Sequence, residues 1–218
     1  MSRRAGFALC TALAVVVLCI LGTWQMQRLF WKEALIADMV AGHEAAPVAP
    51  GPRVSEWARV RLSGEWLAVD PVIIGPVVLS GRTGWYVVSP LVLTTGDMIF
   101  VNRGWLADRN LAKRAVGKVE GMVGVLRRPG PLGMFSPPNE PAKNQWFRVT
   151  PAELAKALGI TNAAPYWVDA MVVSGGAGLT PVGTLRLPPN NHLQYAVTWY
   201  AFALTAAVIG VIFWIRNK

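Results

Sequence analysis

The chain has 218 residues, 53% of them hydrophobic, with 21 basic and 12 acidic side chains and a formal charge of +9. That is enough chain for one domain with segments to spare, and the apolar excess lies at the two ends. Both cysteines, Cys10 and Cys19, fall in the first apolar run, which excludes a disulfide framework, a thiolate metal site or a Cys nucleophile in the remainder.

Residues 1–4 form a basic tip containing Arg3 and Arg4, and residues 5–22 carry no charge. At roughly 1.5 Å per residue this run crosses a hydrocarbon core of about 30 Å if it continues a few residues past Gly22. No A-x-A-like site follows it, and the bulky Leu18 precedes Cys19. The expectation is therefore an uncleaved anchor, not a signal peptide or a lipidation site. Residues 23–40 are expected to extend the helix beyond the membrane, because Trp24, Arg28, Trp31 and Leu35 recur at helical spacing. Trp24 and Trp31 are placed for an interfacial belt. Residues 41–55, rich in Ala, Pro and Gly, read as a linker, with His43 as a solvated surface residue in it.

Residues 56–189 read as a β-rich domain. Ala58 to Leu62 alternates in polarity, and Val72 to Leu79 is apolar but interrupted by Gly75-Pro76, which marks an edge, a bulge or two short strands. Trp85 to Val88 and Met98 to Val101 flank Thr94-Thr95-Gly96-Asp97, a hairpin signal. Val116 to Arg127 is a further strand pattern, and 133–144 is a Pro-rich loop. Thr150, Pro151 and Glu153 predict a capping box opening a short helix that Gly159 ends. Tyr166 to Val173 reads as the last strand. An antiparallel, barrel-like sheet with one short helix accounts for these elements, since closure removes exposed edges. Residues 190–215 form a second transmembrane helix, and 216–218 a second basic tip.

The acids all lie between the tips, whose cations are Arg3, Arg4, Arg216 and Lys218. The positive-inside rule then predicts cytoplasmic termini, with the β-rich domain on the opposite side of the membrane. The middle retains a charge of +5 (17 basic against 12 acidic residues). That suits anionic headgroups or a carboxylate-bearing ligand, and it is weak support for nucleic acid, which an outward-facing domain seldom meets.

Catalytic signatures are absent. With only His43 and His192 available, no Ser-His-acid arrangement is supported by spacing. Phosphate-binding, dinucleotide-binding and H-E-x-x-H patterns are missing as well. His192 opens the second apolar segment, and as a helix continues, His192, Tyr195, Trp199 and Phe202 share a face. Two readings stay open. One is a haem site with His192 as axial ligand to the iron, Tyr195 and Trp199 against the macrocycle, and Arg28 and Arg103 on the propionates. The other makes His192 a polar helix cap above belt aromatics. Val101-Asn102-Arg103-Gly104-Trp105 reads as a strand end at which Gly104 permits a tight turn.

Four segments together resemble the surfeit locus protein 1 family of cytochrome c oxidase assembly factors. They are 21–36 (LGTWQMQRLFWKEALI), 81–105 with its Gly81 to Pro90 and Val101 to Trp105 blocks, 135–147 (FSPPN…QWF) and 190–199 (NNHLQYAVTW). Met26 stands where an aliphatic residue is common in the family. The absence of a presequence before the anchor fits a bacterial inner-membrane member. The resemblance implies a role in maturing subunit I of haem-copper oxidase at haem a insertion, with His192 as the haem ligand and no enzymatic activity. Expected partners are oxidase subunit I, the haem a synthase and the membrane. The alternative is a scaffold that binds no haem and holds those two proteins together through the Pro-rich loop and the Asn102 to Trp105 segment.

Overall fold

The computed structural model describes residues 3–131, 133, 136–172 and 178–217. Phe135 and Val173, used above in a motif and a strand, lie outside these. The chain divides into two compact units, Met1–Asp38 with Leu187–Lys218, and Met39–Arg186.

The first unit is an antiparallel helix pair. Its helices are α1 (Arg3–Glu44, the end of which belongs to the second unit) and α3 (His192–Arg216); a short helix α2 (Pro151–Leu158) lies in the second unit. Both are long and apolar enough to cross a membrane. Their mutual contacts run in opposite residue order, as antiparallel packing requires. The rings of Phe7 and Phe213 lie 4.0 Å apart. Gly210 faces Thr11, and Gly22 lies against the Tyr200 ring, where a Cβ would come within 2.8 Å of it. Thr23 Oγ1 and Tyr200 Oη are 3.0 Å apart. Small residues thus let the backbones approach, and the buried positions of α3 are Ala196 and Ala203.

Helix α1 persists to Glu44, into the segment expected to be a linker. Nothing there breaks a helix before Pro47. Gly42 also allows the last turn to meet the Trp57 carbonyl, which a Cβ would approach to 2.7 Å. Val48 then pairs with the sheet, donating to the Arg59 carbonyl and accepting from Arg61 N–H. The 41–55 segment is therefore helix end and strand pairing, and His43 sits in a helical turn with its carbonyl accepting from the Arg59 guanidinium at 3.2 Å.

The second unit is a barrel. Its strands are β1 (Arg59–Trp66), β2 (Val72–Leu79), β3 (Arg82–Leu93), β4 (Met98–Leu106), β5 (Lys118–Arg127) and β6 (Ala163–Ala170). The order β1-β5-β6-β4-β3 closes through a β1–β3 pairing at Gly64↔Leu93, and β2 adds to β3 outside the ring. The β2 register breaks between Ile74 and Val77, at the Gly75-Pro76 interruption. The expected all-antiparallel sheet is corrected in one place, because β4 and β6 run parallel. Five strands cannot close with every neighbour antiparallel, since direction alternates and the number is odd.

The ring encloses one apolar cluster, including Leu62, Leu91, Ile99, Val101, Leu126 and Val168. Helix α2 (Pro151–Leu158) covers a second cluster on the outer face, with Leu154 against Ile74, Val88 and Phe100. Both faces of β4 are therefore covered, and all nine of its residues are buried. Gly159 ends α2 in the left-handed conformation at φ 68°. The predicted capping box does not close. Thr150 Oγ1 and Glu153 Oε2 both accept from the Asn139 amide, at 3.4 and 2.6 Å.

Candidate functional site

His192 is the first residue of α3, half-buried, and its Nδ1 lies 2.7 Å from Gln25 Oε1 on α1. It stands in line with Ala196, Tyr200 and Ala203, the stripe of α3 that meets α1. Tyr195, 54% exposed, and Phe202 point away from that stripe. Trp199 is half-buried and edge-on to Phe202, with centroids 6.2 Å apart. The imidazole is thus fixed at the helix contact, and the aromatic face beside it is open.

Arg28 follows Gln25 by three residues, on the same face of α1. Its guanidinium stacks 4.2 Å above the Trp31 ring. The helix pair therefore contains four of the five expected site residues. Arg103 belongs to the barrel, 3% exposed, donating to the Lys113 carbonyl at 2.7 Å and 5.8 Å from the Trp66 ring. Burial lowers its pKa from the usual guanidinium value. It lines a cleft of about 540 Å³ with Trp66, Arg114 and Lys118.

The Asn102 to Trp105 segment is buried, which corrects its reading as a contact surface. Gly104 is no turn residue either. It sits inside β4 at φ 146°, where a Cβ would approach the Thr180 carbonyl to 2.7 Å. The positive φ lets Trp105 pair with Thr180 through two hydrogen bonds of 2.8 Å.

Two constellations escaped sequence reasoning besides Gln25. Asp169 Oδ1 accepts from Asn102 Nδ2 at 3.0 Å and Trp167 Nε1 at 3.1 Å, while Oδ2 accepts from Arg127 at 3.2 Å. Burial pushes the Asp169 carboxyl above its ordinary pKa, against the pull of Arg127 and the two N–H donors. Arg127 also stacks 3.9 Å above Trp57. A lone acid in the apolar run YWVDAMVV was the available signal, since a buried carboxylate needs donors. Asn139 is the second. Its carbonyl accepts from Phe147 and Arg148 N–H at 2.8 and 3.2 Å, holding the Pro-rich loop to the start of α2. Among the described residues, no three His, Cys, Asp or Glu side chains cluster as a metal site.

Fold and site define a class of protein in which the sequence of a small barrel domain falls between two long apolar helices, one of which begins at a histidine. The chain belongs to the SURF1 family, whose pattern matches residues 12–204. It is 32% identical to a SURF1-like protein of Monosiga brevicollis, across 100% of this chain and 90% of that one. It is 34% identical to Surfeit locus protein 1 of Homo sapiens, across 87% and 71%. A SURF1-like protein of Rickettsia prowazekii is 28% identical across 91% and 85%, so the relatives include bacterial ones.

Proposed function

We propose that this chain is an assembly factor for haem-copper (cytochrome c) oxidase that binds haem a and assists its insertion into subunit I. The observation that carries the reading is His192, an imidazole at the first turn of a 25-residue apolar helix beside an exposed aromatic face. Family membership supports the oxidase context.

In this reading the two helices span a bacterial inner membrane. Both basic tips are cytoplasmic, and the barrel domain is periplasmic, facing subunit I and the haem a synthase. The haem is cargo, not a catalytic group. His192 would offer its imidazole to the iron, Tyr195 and Trp199 would pack against the macrocycle, and the farnesyl tail would remain in lipid. A single protein ligand would suit release of the cargo to an acceptor. Arg28, on the helix that carries the partner of His192, is the better placed of the two arginines to meet a propionate. Arg103 is committed to the Lys113 carbonyl within the barrel.

The test is an absorption spectrum of the purified protein, wild type and His192→Ala, co-expressed with the haem a pathway. The expected result is a haem a band in wild type that the variant loses. No band in either protein transfers the function to a scaffold that joins subunit I and the haem a synthase through protein contacts alone.

A further inference from the structure

The Gln25 contact restricts the chemistry of His192. Gln25 Oε1 is an amide oxygen and can only accept a hydrogen bond. With this oxygen turned toward it at 2.7 Å, His192 Nδ1 is the donor and carries the proton, whereas an amide turned the other way would make Nδ1 the acceptor, which the labelling below distinguishes. The neutral imidazole then has its lone pair on Nε2, the nitrogen farther from its own backbone. Both residues are half-buried within the helix pair, so water competes only partly for the contact. Gln25 follows within one turn the contacts that Gly22 and Thr23 of α1 make with Tyr200 of α3.

We propose that Gln25 is a positioning residue: it fixes His192 as the Nδ1–H tautomer and aims Nε2 as the single iron-binding nitrogen. The proposal rests on the haem reading of His192 for its purpose, but not for its geometry. Ligating histidines commonly donate their second ring N–H to an oxygen acceptor, which fixes orientation and raises basicity. A glutamine acceptor does so without adding charge, which suits a helix pair with this many exposed apolar side chains. A carboxylate would bring a desolvation cost there.

Two measurements on the full-length protein in detergent test it. The first needs no haem. With ¹⁵N-histidine labelling there are only two rings to resolve, His43 and His192, and His192→Ala assigns them. Wild type is expected to show His192 as the Nδ1–H tautomer. Gln25→Leu is expected to return it toward the mixture of an unconstrained imidazole, in which Nε2–H predominates. Gln25→Glu, which keeps an acceptor oxygen, is expected to restore the wild-type form. An Nε2–H ring in wild type, or no change in Gln25→Leu, overturns the proposal.

The second is titration with ferric haem a, followed by the iron–imidazole stretching band of the ferrous complex. Gln25→Leu is expected to weaken binding by about 10- to 100-fold, the usual consequence of losing such an outer partner, and to lower the band frequency. Gln25→Glu is expected to reverse both. If His192→Ala loses haem while Gln25→Leu binds as wild type does, the positioning role fails and the haem reading stands. If His192→Ala binds as wild type does, haem binds but not through His192, and the proposal that Gln25 aims Nε2 at the iron is overturned whatever the labelling shows.

Discussion

The helix pair and the barrel treat their apolar side chains in opposite ways. On α1 and α3, large residues such as Leu13, Ile20, Val197 and Leu204 are more than half exposed, while the buried α3 positions are alanines. In the barrel, Val60, Leu62, Leu91, Ile99 and Leu126 are wholly buried. The first arrangement suits the proposed membrane setting, where helix association relies on close packing and hydrogen bonds. The second is driven by removing apolar area from water. Polar groups follow suit. The helix pair places isolated polar contacts, Thr23–Tyr200 and Gln25–His192, that fix its register. The barrel instead gathers several polar side chains, Asn102, Arg127 and Trp167, around the single carboxylate of Asp169.

The sharpest way to break the barrel side of this comparison is Asp169→Ala. It removes the acceptor shared by Asn102, Trp167 and Arg127 and leaves those donors partly buried. The expected loss is about 3–5 kcal/mol in denaturant unfolding. Asp169→Asn, which keeps one acceptor oxygen, should lose much less. Equal losses in both variants would mean that the negative charge itself, and not the acceptor, holds the cluster.

Next is the seam that closes the ring. A Cβ at Gly64 would overlap the Val92 carbonyl oxygen across the β1–β3 pairing. Gly64→Val is expected to cost about 3 kcal/mol and to raise hydrogen exchange selectively in β1 and β3. Uniform exchange throughout the barrel would show that the seam is not a separable element.

This seam also marks where the sequence stopped being legible. Strand identities followed from alternation and turn signals, so β1 to β6 were expected near their observed places. Closure depends on the β1–β3 register and on odd strand number, and neither leaves a local trace. The same holds at the site. His192 stood out by its position at the mouth of an apolar segment, whereas Gln25, 167 residues away, looked like one polar residue among several on an interfacial helix. The capping box was misread for a related reason. Asn139, outside the local pattern, takes both of the box's side-chain oxygens.

On the helix side, Gly22→Val is expected to have a smaller effect, about 1–2 kcal/mol. Its side chain meets the Tyr200 ring, which can shift where backbone cannot. Cysteines placed at 7 and 213 in a Cys10→Ala, Cys19→Ala background should still crosslink, because Phe7 and Phe213 lie at the far end of the pair. The Gln25–His192 contact, one turn from Gly22, should loosen. Loss of the 7–213 crosslink as well would show that the pair moves as a rigid whole.

The smallest effect is the pH dependence that Asp169 gives the barrel. Burial raises its folded-state pKa above the ordinary carboxylate value, so the folded state holds the proton more tightly than the unfolded one. Stability from this group is then fully present below the unfolded pKa near about 4. It declines as pH rises through the raised folded value, and is constant above it. Urea unfolding of wild type and Asp169→Asn across that range isolates the contribution, because every other titrating group is common to both. The expected result is that wild type loses stability relative to Asp169→Asn as pH rises from about 4 toward neutrality. The opposite slope would mean that Arg127, Asn102 and Trp167 together outweigh burial. The barrel's polar cluster would then act as the Gln25–His192 contact does, with the hydrogen-bond partner and not the surrounding medium deciding where the proton resides.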